Sequence, residues 1–264
     1  MRKTFLFFFG LFALSLCLFG RIISLHFAQD DFFHLKVSQL DVNNSFVNLI
    51  SFRPFAERGG IYFYRPLFRE LLFNIYFKVF GLNPLPFRIL QFAVFFANLV
   101  LAYLVSFKVT KSKFISMFSA FFVSFAVANI GILSYLNGGI QMAGMTMMAL
   151  LSILFYLDYL KNGAINRFLL TIVFFILALA SHEIALVLPL MYLSLFLFKN
   201  GLTFKKCCLG VKKNILFFVI ALAFFLAEVL VIGLPAGEQQ YGLDFSIFRL
   251  LNSYFWYGLW SIGA

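Results

Sequence analysis

The chain has 264 residues, a formal net charge of +11, 63% hydrophobic residues and only 12% charged ones. With a mean hydropathy of +0.97, too little polar surface exists to coat a soluble domain, so lipid must be the solvent. Nucleic acid is not indicated as a partner, because the positions of the charges matter here more than their sum. Cys17, Cys207 and Cys208 show no ligand spacing, so neither a disulfide framework nor a zinc site is indicated.

A bilayer core of about 30 Å needs roughly 20 apolar residues at 1.5 Å each. Runs of that order occur at 4–25, 87–107, 114–134, 139–157, 166–181, 183–198 and 214–234. The predicted fold is therefore all-α, a polytopic transmembrane bundle of about seven spans forming one module. The first run follows Arg2 and Lys3 like a signal peptide, but no small-x-small site follows it, so it reads as a retained span.

Lysines set the orientation, since short cytoplasmic loops retain Lys and Arg. With the N-terminus inside, the cytoplasmic segments hold Arg2, Lys3, Lys108, Lys111, Lys113, Lys161, Arg167, Lys199, Lys205, Lys206, Lys212 and Lys213, opposed only by Asp158. The acids Asp30, Asp31, Asp41, Glu57, Glu70, Glu183, Glu238 and Asp244 then fall on the outer side, and Glu228 faces the bundle.

The first outer loop, 26–86, is long, and loops of such length tend to carry function. Its basic residues are mostly arginine (Arg53, Arg58, Arg65, Arg69, Arg88), the residue suited to bidentate contact with phosphate or carboxylate, although headgroup contact alone explains any single one. After Tyr64, Arg65 and Pro66, residues 67–81 read as a helix lying in the interface, with Arg69, Glu70 and Lys78 among apolar residues. A Gly-Leu-Asn-Pro turn then leads into the second span.

Two groups can carry chemistry. Asp30 and Asp31, with His34, follow the first span; side chains of adjacent helical residues diverge by about 100°, so one acid can meet substrate while the other takes a structural partner. An acidic pair here is also an ordinary solvated cap. Ser181, His182 and Glu183 interrupt two apolar runs and, by topology, reach the same face. His26, Asp30 and His34 recur at four-residue spacing, and Glu183 with His182 can complete a weak divalent-metal set, though interfacial histidines are the plainer reading. Gly138, Gly139 and Gly144 suit close helix packing.

The order of these features, namely the acidic pair, Tyr64-Arg65-Pro66-Leu67 before an interfacial helix, Asn83-Pro84 entering a span, and Ser181-His182-Glu183 followed by Leu188-Pro189, resembles the C-type membrane glycosyltransferases. The protein O-mannosyltransferases and their tetratricopeptide-bearing relatives are the most similar, with His182 standing where that family often has lysine. The resemblance implies transfer of mannose or another hexose from a polyprenyl-phosphate-linked sugar to a protein or glycan acceptor at the extracytoplasmic face of a bacterial cytoplasmic membrane. It implies Asp30 as general base and Asp31 as the second acid, orienting the acceptor or binding a cation. Arg65 and Tyr64 hold the donor phosphate, and His34, His182 and Glu183 line the cavity. No cofactor is required, with a divalent cation as an option; membrane lipids are partners. Relatives continue further, so the resemblance implies truncation at the C-terminus. A transporter or flippase, which asks for charges or broken helices at mid-membrane, and a non-catalytic assembly partner stand as alternatives.

Overall fold

A computed structural model describes residues 2–40, 46–54, 57, 62–126, 128–233 and 246–261. Asp41, Arg58, Glu238 and Asp244 lie outside the described residues. The described chain is all helical: α1 (Arg2–Phe19), α2 (Gln29–Leu40), α3 (Phe46–Ile50), α4 (Leu72–Phe80), α5 (Pro84–Thr110), α6 (Lys113–Ser124), α7 (Ala128–Ser134), α8 (Leu136–Asn162), α9 (Ile165–Leu179), α10 (Leu188–Asn200), α11 (Phe204–Ala227) and α12 (Ile247–Ser261). Wider π turns at Pro66–Leu71 and Glu228–Ile232, and 3-10 turns at Gly20–Ser24 and Glu183–Val187, link or extend them.

Five helices among the described residues are long and apolar enough to cross a membrane: Lys3–Ser24, Pro84–Thr110, Leu136–Asn162, Glu183–Asn200 and Phe204–Ile232. The run predicted at 114–134 is two helices, α6 and α7, bent by 59°. Asn129 accounts for part of the break, since its side-chain amide donates to the carbonyls of Val123 and Ser124 at the end of α6. The run at 166–181 yields α9, whose 15 residues rise about 22 Å, less than the hydrocarbon thickness.

Local chemistry explains the ends. Asn83 caps α5, accepting from the Leu85 N–H at 3.1 Å, with Pro84 in the first turn where its missing N–H matters least. Gly81 closes α4 at φ +59, a conformation open to glycine. The interfacial helix predicted over 67–81 is thus the π turn plus α4.

Three aromatic-rich clusters hold the bundle. Tyr156, Phe175, Tyr192 and Phe217 pack at the junction of α8, α9, α10 and α11; Leu11, Phe92, Phe95 and Tyr103 join α1 to α5. Leu35, Phe68, Phe73, Phe87, Leu136 and Ile140 seat α2, the first π turn and α4 on the N-terminal ends of α5 and α8. Within the bundle, polar groups satisfy each other across helices: Ser152 donates to the Thr171 carbonyl and meets the Tyr192 hydroxyl, Tyr156 donates to Asn214, and Asn98 to the Ala143 carbonyl. Large apolar side chains such as Phe114, Phe204 and Leu230 face outward, as lipid-facing residues do.

Candidate functional site

The third cluster places a polar assembly at one end of the bundle. α2 begins where the Ala28 carbonyl accepts from the N–H groups of Asp31 and Phe32. The Asp31 carboxylate reaches back to the Ala28 N–H at 2.8 Å, the return half of a capping box. Its other oxygen accepts from the Asn137 N–H in the first turn of α8, also at 2.8 Å. Asp31 is 0% exposed, so it stitches α2 to α8. Burial raises its pKa, an effect opposed by these two N–H bonds and by Arg88.

Arg88, 2% exposed, donates to the carbonyls of Leu25, His26, Leu133 and Ser134 and to the Gln91 side chain. The non-helical stretch before α2 and the last carbonyls of α7, just before α8, are thereby satisfied by one guanidinium. Arg88 is a clamp for the fold, where its sequence suggested a headgroup contact. His26 belongs to the extended stretch that Arg88 holds, ahead of α2, so it does not share a helical face with Asp30 and His34, and the four-residue spacing is not helical at that point.

Asp30 lies exposed on the other side of α2 and accepts from the Tyr135 hydroxyl at 2.5 Å. Burial and this bond push the Tyr135 phenol up to about 12, so it stays a donor at neutral pH. The adjacent acids diverge as helix geometry requires, one outward and one into the fold. A turn further along, burial and then the charge of Arg69 lower the His34 imidazole to about 4, and among the described residues its buried Nδ1 has no hydrogen-bond partner.

Arg65 precedes the first π turn, which is tied to the other half of the chain by the Leu67 N–H donating to the Ala180 carbonyl at 3.0 Å. Its guanidinium makes a bidentate pair with Glu183, Nε to Oε2 at 2.8 Å and Nη2 to Oε1 at 2.5 Å. Nη1 donates to Gln141 at 3.0 Å, and Gln141 donates to Asn137 at 2.6 Å. A continuous polar path therefore runs from Asp31 through Asn137, Gln141 and Arg65 to Glu183. His182 is 8% exposed; its Nδ1 accepts from the Ile184 N–H at 3.3 Å, and burial followed by the charge of Arg65 lowers it to about 4. It is neutral at pH 7, and among the described residues the fixed positive charge paired with Glu183 is that of Arg65.

Behind this path, Arg69 and Glu70 form a buried ion pair at 2.5 Å, with Arg69 also donating to the Phe63 carbonyl. Glu228, in the second π turn, accepts from the Tyr64 N–H at 3.0 Å, which gives that carboxylate its place against the bundle. The Tyr64 ring is buried and stacked on Phe52 at 3.7 Å, and its hydroxyl donates to the Ile50 carbonyl. Tyr64 thereby ties residues 50–52 to the stretch that carries Arg65.

No protein-family model matches the chain, and no curated protein matches its sequence. The site is therefore read from its own geometry.

Asp30, Asp31, His34, Arg65, His182 and Glu183, dispersed over more than half the chain, do share one end of the bundle. Among the described residues, no group of three His, Cys, Asp or Glu side chains is arranged to hold a metal ion; Asp30 is turned to Tyr135 and Glu183 to Arg65, so Asp30, His34 and Glu183 do not converge. Sequence reasoning missed Tyr135, Asn137 and Gln141. The available signal was a set of polar side chains at the start of an otherwise apolar run, spaced so that 137 and 141 lie on one helical face.

Proposed function

We propose that the chain is a membrane glycosyltransferase that moves a hexose from a polyprenyl-phosphate donor to a hydroxyl acceptor. The observation carrying this reading is an exposed carboxylate, Asp30, bonded to Tyr135 at one end of an apolar bundle that also holds the half-buried Arg65–Glu183 pair and the buried Arg69–Glu70 pair. A reaction on a lipid phosphate asks for that combination: a base open to the aqueous acceptor and cationic groups at headgroup depth.

In this scheme the Asp30 carboxylate takes the proton of the acceptor hydroxyl as the acceptor oxygen bonds to the anomeric carbon. The anomeric carbon–oxygen bond to phosphate breaks, and its electron pair stays on the phosphate oxygen. Arg65, whose orientation is set by Glu183 and Gln141, stabilises the growing phosphate charge with its remaining N–H groups. Asp31 acts through position, holding the α2 turn that carries Asp30. We take the membrane to be a bacterial cytoplasmic membrane crossed about seven times, with α6–α7 as a broken span, α9 as a short one, and the lysine-rich end inside; the site then faces out.

The test is transfer of radiolabelled hexose from a polyprenyl-phosphate donor by purified protein in detergent. Asp30→Asn is expected to lower turnover by about 100-fold or more, the range typical of general-base loss, with unchanged melting. Wild-type turnover that Asp30→Asn leaves intact removes Asp30 as the base, and no turnover by folded wild type across several hexoses removes the reading. The 59° break between α6 and α7 is the observation that favours a transporter instead.

A further inference from the structure

The opposite end of the bundle carries a second feature that the proposed chemistry does not use. A cavity of about 420 Å³ opens where α5, α8 and α10 end, and Lys108, Lys111, Lys161, Lys199 and Asp158 line it. Four lysines against one aspartate leave a net charge of +3 around one small volume. Its size falls in the range that holds small ligands, about 300–1,000 Å³.

Three helix C-termini meeting in one place present carbonyls and the negative ends of three dipoles, which by themselves repel an anion. Two of the lysines answer that. The Lys199 ammonium donates to the Leu160 carbonyl, and Lys108 reaches the Leu154 carbonyl at 3.4 Å while pairing with Asp158 at 2.5 Å. Lys111 and Lys161 have exposed side chains and, among the described residues, make no ion pair, so their charge is available at the cavity mouth. The remaining wall is apolar, with Leu157 and Leu195 within and Phe198 exposed at the edge.

We infer that this cavity holds the phosphate of an anionic phospholipid, with Lys111 and Lys161 on the phosphate and Leu195 and Phe198 against the glycerol and upper acyl carbons. Cationic charge and apolar wall side by side match a headgroup joined to a tail, whereas a free phosphate uses only the first. Basic pockets between helices at headgroup depth recognise lipids in this way. The site does not depend on the proposed transferase reaction.

The experiment is equilibrium binding of a fluorescent phosphatidylglycerol to the full chain in detergent, with unlabelled phosphatidylglycerol, phosphatidylcholine and inorganic phosphate as competitors. Lys111→Ala with Lys161→Ala is expected to weaken binding roughly 30-fold, which is about 2 kcal/mol at 1.4 kcal/mol per tenfold and about 1 kcal/mol per lysine. Lys205→Ala with Lys212→Ala removes the same charge from α11, whose residues do not line the cavity, and is expected to change binding less than about 3-fold by that reasoning. Equal losses in the two double variants overturn the site in favour of diffuse attraction. Phosphatidylcholine competing as well as phosphatidylglycerol, or inorganic phosphate displacing the lipid at equal concentration, overturns it on wild-type protein alone, whatever the variants do.

Discussion

Replacing Asp31 by alanine separates positioning from catalysis within a pair of adjacent acids. The carboxylate is 0% exposed and accepts N–H bonds from Ala28 and Asn137, both at 2.8 Å. Hydrogen bonds to a charged group contribute about 1.5–3 kcal/mol each, so losing two, with the Asn137 N–H left buried, removes roughly 3–6 kcal/mol. Against a typical total of about 5–15 kcal/mol that is a large share. At about 2–4 °C per kcal/mol for a chain of this size, melting should fall by roughly 6–24 °C. Asp30→Ala removes an exposed carboxylate bonded to one phenol, so melting should move by no more than about 2 °C, as for ordinary surface substitutions. The assay is thermal unfolding of both variants in the same detergent, followed by size exclusion. Asp31→Ala melting like wild type, or Asp30→Ala melting like the expected Asp31→Ala, would refute the assignment of burial and role.

A double-mutant cycle on Arg65→Ala and Glu183→Ala, read by chemical or thermal unfolding, should give a coupling of about 1–3 kcal/mol, because each single change leaves a partner charge largely out of water; additive effects would show that the pair is not formed. Gly139→Ala should destabilise more than Gly144→Ala in the same melting assay. A Cβ at 139 would lie 1.7 Å from the Ile132 backbone oxygen, whereas at 144 it meets the Phe68 ring at 2.5 Å, and a ring can shift for about 1–3 kcal/mol. Acid should also weaken the fold. His34 and His182 sit at about 4 when folded and at 6.5 when unfolded, so the unfolded chain binds more protons between those values. Their contribution is complete above about pH 6.5 and is lost as pH falls toward 4, at most about 2 kcal/mol per histidine at pH 5. Asp31 runs the other way, gaining as pH falls through its raised value toward 3.8. Melting at pH 7.5 and pH 5 should differ less in His182→Gln than in wild type; an equal difference removes His182 as a source.

Much of the helix layout was legible because it rests on local chemistry. Apolar runs near 20 residues marked most of the long helices to within a few positions, though α11 starts at Phe204, well before the run at 214–234, and Asn83-Pro84 announced the start of α5. The run at 114–134 reads as unbroken because hydropathy does not record a backbone break, which the Asn129 amide makes by turning onto the end of α6. Asp31 looked as available as Asp30 in one dimension; only the approach of the Asn137 N–H from α8 shows which acid is inside.

Composition alone determined that the chain needs lipid, since 63% hydrophobic residues leave no way to cover a soluble surface, and lysine placement alone marked the two ends of the bundle. Tertiary structure decided which polar residues are partners. Arg65 meets Glu183, 118 residues away, and Arg88 closes two junctions at once. Such pairings arise from desolvation: a charge carried into the bundle by one helix must find its counterpart on whichever element packs there, and no local pattern encodes that neighbour.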